Sequence, residues 1–288
     1  MVEILSTMGY ATRYMATIQA LLADKNPDRE YFLRAILKMD RATLFSHQNH
    51  ELTPEQTKRL ADFERQRAGG QPVQYIVGEA WFYGLKFHVA PGVLIPRPET
   101  ELMVDRALAL TCAYGAEHKK CSVIDLGTGS GAVAIAIAKN SDVPVWAVDI
   151  SLKALTIARA NARTHGVKIK FHKDNVRRKI AWPNTGHVIA TANLPYLSDA
   201  QMKKLSHEVQ CEPKLALFGG HDGLDLYRDF FAALKTYCKQ RQTIVLLCEI
   251  DPEQETKLAA IAHREFPKPQ ILSHRDLHGD IRLIEITL

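Results

Sequence analysis

The segment Val123-Ile124-Asp125-Leu126-Gly127-Thr128-Gly129-Ser130-Gly131 constrains this chain more than any other. A short, mostly apolar run passes through three alternating glycines into Ala132-Val133-Ala134-Ile135-Ala136-Ile137-Ala138, apolar enough for a buried helix. A strand that turns through glycines straight into a helix opens a βα unit of a parallel sheet, and that turn lies at the carboxyl ends of the strands, where ligands bind. The rest of the chain from Glu99 onward agrees. Strands are expected over 122–126, 145–150, 168–172, 187–192, 243–250, 270–273 and 281–287, and helices over 99–112, 131–139, 152–165, 199–205, 224–239 and 252–266. Strands alternating with helices of this length predict an α/β fold with a mostly parallel, seven-stranded sheet covered on both faces. The last two strands lack a connecting helix, so they must pair differently, by an antiparallel insertion at the end of the sheet.

Before about residue 70 the pattern is helical, over 10–23, 29–39 and from Thr53. Thr53, Pro54 and Gln56 supply an N-cap, a first-turn proline and a capping-box partner. Leu60 and Phe63 carry that helix's apolar stripe until Gly69 and Gly70 stop it. The aromatic runs around Gly84 in EAWFYGLKFHV (79–89) predict a β-hairpin, and Pro91, Pro96 and Pro98 stiffen the passage that follows. The expected division is therefore a helical bundle over 1–75, a hairpin linker over 76–98 and an α/β domain over 99–288, and 288 residues suffice for one large domain and a smaller module.

Composition excludes several classes. The longest apolar stretch, 132–138, is far below the roughly 18 residues of a membrane span. The N-terminus carries Glu3 and no early basic residue before an apolar run, so it does not read as a secretory signal, and a cytoplasmic location is expected. Five cysteines, odd in number and without a CxxC pair, read as reduced, mostly buried thiols. Lys and Arg exceed Asp and Glu by 37 to 32, which tolerates an RNA-rich partner without requiring one. The longest basic run is Arg177-Arg178-Lys179, so direct sequence-specific nucleic-acid binding is not expected. His47 and His50 form an HxxH with no ligand framework around it, and no metal is expected.

The glycine loop alone is shared with dinucleotide-binding oxidoreductases. Asp125 shifts the balance: a carboxylate beside the loop opposes pyrophosphate and favours a cationic ligand, and S-adenosylmethionine carries an ammonium and a sulfonium. Asp149 ends the next strand, placed to accept hydrogen bonds from both hydroxyls of an adenosine ribose, while Ser151 can cap the helix that follows. The alternative for Asp149 is that cap itself. Asp174, with Asn175 beside it, closes the third strand where an adenine could be read, or else is a solvated loop carboxylate. The cofactor set is then Asp125, Gly127, Thr128, Gly129, Ser130, Gly131, Asp149, Asp174, Asn175 and Asn193.

The fourth strand ends in Asn193-Leu194-Pro195-Tyr196, similar to the [ND]PPY motif of methyltransferases that modify planar amide or amino nitrogens. Such nitrogens have delocalised lone pairs, so a site must direct their N–H bonds to acceptors and aim the lone pair at the methyl group. The Asn193 side-chain carbonyl and the Leu194 backbone carbonyl can accept, and Tyr196 can pack on the flat group. Asn193 and Tyr196 are the catalytic candidates, and Asn193, Leu194, Pro195 and Tyr196 the substrate-binding set. The alternative is a plain turn.

Taken together with Pro72-Val73-Gln74-Tyr75-Ile76-Val77-Gly78, Phe82-Tyr83-Gly84, Leu94 to Glu101 (LIPRPETE), Glu212-Pro213 through Ala216-Leu217, and Gly219 to Arg228 (GGHDGLDLYR), these motifs resemble the HemK/PrmC family of peptide-chain release factor N5-glutamine methyltransferases. The resemblance spans essentially the whole chain. It implies a Rossmann-like class I methyltransferase fold with a small N-terminal helical domain, and methyl transfer from S-adenosylmethionine to the glutamine of the GGQ tripeptide of class I release factors. It also implies that the N-terminal helices hold the release factor. Two departures stand out: Leu194 where the family usually has Pro, and Asn175 where it often has a larger apolar residue. Two alternatives follow, an N6-adenine methyltransferase acting on nucleic acid and a non-catalytic, cofactor-retaining release-factor binder. Gly69-Gly70-Gln71 imitates the substrate tripeptide at a helix end, and His274-Arg275-Asp276-Leu277 imitates a kinase loop but reads as a loop before the last strand.

Overall fold

The computed structural model describes residues 16–178, 180–235, 237 and 243–288. The chain divides into two compact units, with the boundary between Val77 and Gly78.

The first unit comprises α1 (Ile18–Leu22), α2 (Pro27–Leu37), α3 (Arg41–Ser46), α4 (Pro54–Ala68) and α5 (Val73–Val77). The part of the expected first helix before residue 16 lies outside the described residues. Each start has a local cause: Asn26 caps α2 with Pro27 at its first position, Asp40 caps α3, and Thr53 and Gln56 form the expected capping box on α4. Gly69 ends α4, so the GGQ look-alike is a helix stop. Phe32, Leu33, Leu44, Leu52 and Leu60 form the core, with Phe32 and Phe63 edge to face at 5.4 Å. Ion pairs Arg29–Glu64 and Arg67–Asp28, each 2.6 Å, join α2 to α4. His47 Nδ1 lies 2.9 Å from the Thr43 carbonyl at the end of α3. Among the described residues no three His, Cys, Asp or Glu gather as a metal site.

The second unit opens with the hairpin β1 (Glu79–Phe82) and β2 (Leu85–His88). Tyr83 and Gly84 both take positive φ (51° and 69°), the pattern of a type I′ turn. Tyr83 is held there by its N–H donating to Glu101 Oε1 (2.7 Å) and its hydroxyl to Asp105 Oδ1 (2.7 Å). Phe82 and Phe87 are buried against Met103 and Val104, so the hairpin packs as part of this unit's core.

After α6 (Glu101–Ala116) come β3 (Cys121–Leu126), α7 (Ala132–Asn140), β4 (Val145–Asp149), α8 (Leu152–His165), β5 (Ile169–Lys173) and β6 (His187–Ala192). The short α9 (Asp199–Met202), α10 (His207–Gln210) and α11 (Lys214–Leu217) lead to α12 (Asp225–Lys235), β7 (Thr243–Glu249), α13 (Glu255–Glu265), β8 (Gln270–Arg275) and β9 (Ile281–Thr287). The sheet order is β5-β4-β3-β6-β7-β9-β8. β9 runs antiparallel to both of its neighbours, and the others run one way, as the missing helix predicts. Residue alternation divides the core between the two faces: Val123, Ile189 and Val245 pack with α6 and α7, whereas Ile124, Ala190 and Leu246 pack with Phe230, Phe231 and Leu258 of α12 and α13.

The structure corrects the sequence reading in several places. The expected helix 199–205 is only four residues long, because Ser206 restarts the chain by capping α10. The helix expected from 99 starts as a 3-10 turn over Pro98–Thr100. His274 and Arg275 belong to β8, and a tight turn follows, with Gly279 N–H donating to Asp276 O at 3.0 Å, because β8 and β9 form an antiparallel hairpin. The thiols are less buried than expected. Cys121 and Cys248 are buried, but Cys112 is exposed on α6 and Cys211 half-buried; Cys238 lies outside the described residues, as do positions 236 and 238–239 of the expected helix 224–239. Among the described residues no helix is long and apolar enough to cross a membrane.

Candidate active site

Because β5, β4, β3 and β6 are parallel neighbours, the loops that follow them leave one edge of the sheet side by side. That alone gathers Gly127–Gly131, Asp149, Asp174 and Asn193–Tyr196. The glycine loop is pinned by Gly127 and Thr128 N–H groups donating to Val148 O at 2.8 and 3.0 Å. Gly131 is the N-cap of α7 at φ 83°, where a Cβ would stand 3.0 Å from Ile135 Cδ1 and 3.1 Å from Ala158 Cβ. Glycine brings no capping side chain, so the first-turn N–H groups of α7 keep their capacity for a ligand.

Asp149 accepts from Gly129 N (2.9 Å) and Ser151 N (2.8 Å), one bond per carboxylate oxygen. Ser151, not Asp149, caps α8, accepting from Ala154 N at 3.2 Å. Burial raises the Asp149 pKa against those N–H donors. Asp125 lies beneath the loop, 3% exposed, with Oδ1 accepting from Thr191 Oγ1 at 2.7 Å. Burial pushes its carboxyl up to about 6, opposed by the Thr128 and Thr191 hydroxyls and aided by Asp149. Asp174 N–H donates to Asp149 O (3.1 Å), which brings the end of β5 beside that of β4. Asn175 Oδ1 accepts from Arg177 N (3.0 Å), so that oxygen is spent in a local turn.

At the end of β6, Asn193 Nδ2 donates to Thr100 Oγ1 at 3.0 Å, and Asn193 Oδ1 has no hydrogen-bond partner among the described residues, so it keeps its capacity to accept. Leu194 is buried, and a Cβ on Gly127 would stand 3.3 Å from its Cδ2, so this leucine packs under the glycine loop. Tyr196 places its hydroxyl 3.4 Å from Glu249 Oε1, and its carbonyl accepts from Gln254 Nε2 at 2.8 Å. Burial pushes the Tyr196 phenol well above its ordinary range. Gly219 and Gly223 lie against the loop's backbone: a Cβ at Gly219 would collide with the Pro195 carbonyl and one at Gly223 with the Tyr196 carbonyl.

Comparison with known proteins places this arrangement. The PrmC N-terminal domain family matches residues 15–78 and the methyltransferase domain family residues 123–211. The release factor glutamine methyltransferase of Coxiella burnetii is 34% identical over 276 residues, covering 92% of this chain and 94% of that protein. That of Bacillus anthracis is 33% identical over 258 residues, covering 88% and 90%. The chain belongs to the release factor glutamine methyltransferase family. A crystal structure of the hMettl16 catalytic domain in complex with the MAT2A 3′UTR hairpin 6 aligns with TM-score 0.53 at 11% identity, over 93% of this chain and 91% of that one, a likeness of fold.

In this member of the release factor glutamine methyltransferases, three of the blocks that carry the sequence resemblance brace the acceptor loop, directly or through one another. The LIPRPETE block supplies Thr100. Glu212 takes the Ile95 N–H (3.0 Å) and pairs with Arg97, which anchors that block. The GGHDGLDLYR block supplies Gly219, Gly223 and Tyr227, whose hydroxyl sits 2.7 Å from Ala192 O and 2.6 Å from Glu249 O, bridging the ends of β6 and β7. The sequence reading did not assign Thr100, Glu249, Gln254 or Tyr227 to the site. For Glu249 a signal existed: an acidic residue closing an apolar strand, as Asp149 does.

Proposed function

We propose that this chain transfers a methyl group from S-adenosylmethionine to the N5 side-chain amide nitrogen of the glutamine in the GGQ motif of class I release factors, a cytoplasmic step of translation termination. The observation that carries this reading is the Asn193 amide, held by Thr100 so that its carbonyl is offered to a partner beside the glycine loop. Relatives at 33–34% identity over most of the chain bear the matching name.

The cofactor's requirements suit the residues present. The uncapped start of α7 and the side-chain-free loop at Gly127, Gly129 and Gly131 leave room and N–H donors, with Thr128 and Ser130 lining the same turn. Asp149 retains lone pairs for two ribose hydroxyls, and Asp125 favours positive charge. Asp174 and Asn175 border the adenine position. When bound, S-adenosylmethionine supplies a methyl group on a sulfonium, an electrophilic carbon.

The chain's own part is to prepare the nitrogen. Asn193 Oδ1 and the Leu194 carbonyl accept the two amide N–H bonds, which turns the lone pair toward the methyl, and Pro195 and Tyr196 wall the flat group. No strong base is needed before transfer, because the methylated, cationic nitrogen sheds its proton readily. Asn193 positions and does not ionise. We assign release-factor holding to the N-terminal helices, and expect no direct sequence-specific contact with nucleic acid.

The experiment is incubation with labelled S-adenosylmethionine and a class I release factor, followed by mass mapping. Label on the GGQ glutamine is expected; label on RNA and none on the factor would overturn the reading in favour of adenine methylation.

A further inference from the structure

Glu249 ends β7 directly behind the acceptor loop and is 3% exposed. Its Oε1 makes only the long contact to the Tyr196 hydroxyl, and its Oε2 is buried with no hydrogen-bond partner among the described residues. A buried carboxyl oxygen without a donor is costly and calls for an explanation. Ala192 pairs with Cys248, so Asn193 and Glu249 follow side by side on adjacent parallel strands, and the Thr100 hydroxyl that receives the Asn193 amide is the neighbouring donor. It forms no hydrogen bond to Glu249 in this structure, yet its proximity works against the burial of that carboxyl.

A threonine hydroxyl has one proton and two lone pairs. With its proton aimed at a carboxylate, a lone pair receives Asn193 Nδ2 and Asn193 Oδ1 stays free to accept. With its proton aimed at Asn193, the amide must turn over and present N–H groups where a substrate amide needs an acceptor. A carboxylate only accepts, so it decides between the two. We propose that Glu249 is a positioning residue that, as a carboxylate, takes the Thr100 hydroxyl proton in a hydrogen bond and thereby fixes Asn193 with Oδ1 toward the substrate glutamine. The inference rests on the glutamine reading for its substrate, and on the Asn193–Thr100–Glu249 juxtaposition for its geometry.

The groups set around Glu249 include Thr100 and Glu99 ahead of α6, Tyr196 on the acceptor loop, Tyr227 on α12, whose hydroxyl sits on the Glu249 carbonyl, and Arg282 on β9. Burial pushes the Glu249 carboxyl up to about 7; Glu99 adds to the rise, and Arg282 with the Thr100 and Tyr196 hydroxyls opposes it. The orienting carboxylate is therefore lost as pH falls through about 7.

The test uses the full chain with S-adenosylmethionine and a class I release factor. Methylation of the GGQ glutamine by the wild type checks the underlying reading on its own. Glu249→Gln is expected to lower kcat about tenfold or more with cofactor affinity within about twofold, and to abolish the acid limb of kcat near pH 7. Thr100→Val should lose as much, and Thr100→Ser should recover most of it. Independently of turnover, the Asn193 side-chain amide resonances of cofactor-free protein should shift with an inflection near pH 7 in wild type and not in Glu249→Gln. An unchanged kcat and acid limb, or an inflection that survives in Glu249→Gln, would overturn the proposal. Should that variant not fold, full activity of Thr100→Val overturns it instead. A wild type that leaves glutamine unmethylated while the inflection depends on Glu249 refutes the function and not the coupling.

Discussion

The loop after β3 and the loop after β6 leave adjacent parallel strands, Leu126 opposite Ala192, yet they are held by different means. The glycine loop is shaped by its own backbone and by the next strand, with bonds to Val148 and Asp149 only about twenty residues on. The acceptor loop is clamped from far away: Thr100 lies 93 positions upstream of Asn193, Glu249 53 downstream of Tyr196 and Gln254 58 downstream of it. The contrast follows from their tasks. A cofactor site needs open N–H groups and room, which a short glycine turn tied to the next strand provides. A site that must orient an unreactive amide needs acceptors fixed to a fraction of an ångström, and remote packing supplies that rigidity.

If the two loops are separate devices, damage to one should spare the other. The largest effect is expected from Asn193→Ala, which removes the side-chain carbonyl: transfer should fall by about a thousandfold or more, as for loss of a preorganised hydrogen-bonding group, while S-adenosylmethionine affinity measured by calorimetry stays within a few-fold. Parallel losses of both would mean that the loops are one unit. Gly223→Ala comes next. Its φ of 81° and the Tyr196 carbonyl leave no space for a methyl group, so the acceptor loop must shift, and about a hundredfold loss of kcat is expected for a displacement near 1 Å. Cofactor affinity should again hold.

The same contrast decides what the sequence discloses. The glycine turn, the alternation of strands and helices and the Ser151 cap rest on neighbours in the chain and are readable from residue order, as is the helix-free link that makes β8 and β9 antiparallel. Asn193-Leu194-Pro195-Tyr196 is readable as a motif, but its bracing is not, because nothing local says that Thr100, Gly223 and Gln254 converge on it. Resemblance to a family marked most of those segments without saying what they touch. Where a local reading failed, as over 199–205, a competing cap at Ser206 had ended the element early. Asn175 is another case: its oxygen serves a turn to Arg177, a choice made by backbone geometry after β5.

Asp149→Ala strikes the other side of the comparison. Loss of hydrogen bonds to a charged acceptor costs about 1.5–3 kcal/mol, so S-adenosylmethionine affinity should weaken by about tenfold to a hundredfold. Once the variant is saturated with cofactor, kcat should return to near the wild-type value. A kcat that stays depressed at saturation would show that Asp149, through Gly129, also governs transfer.

The smallest effect is a pH dependence confined to the cofactor loop. The Asp125 carboxyl sits up at about 6 in the cofactor-free protein because burial favours its neutral form. Raised above its unfolded value, this group contributes stability that is fully present below about pH 4 and is lost as pH rises through about 6. A cationic ligand favours the carboxylate instead, so S-adenosylmethionine affinity should strengthen between pH 5 and pH 7 and then level. The ceiling is about tenfold, the factor by which a group with pKa near 6 is un-ionised at pH 5. Asp125→Asn cannot ionise and should flatten most of that slope. The remainder belongs to Asp149, whose pKa is raised by the same cause and gives the same sign. Calorimetric titrations at several pH values check this. A slope of opposite sign, or one unchanged in Asp125→Asn, would mean that Asp125 does not sense the ligand's charge and serves only to tie β3 to Thr191.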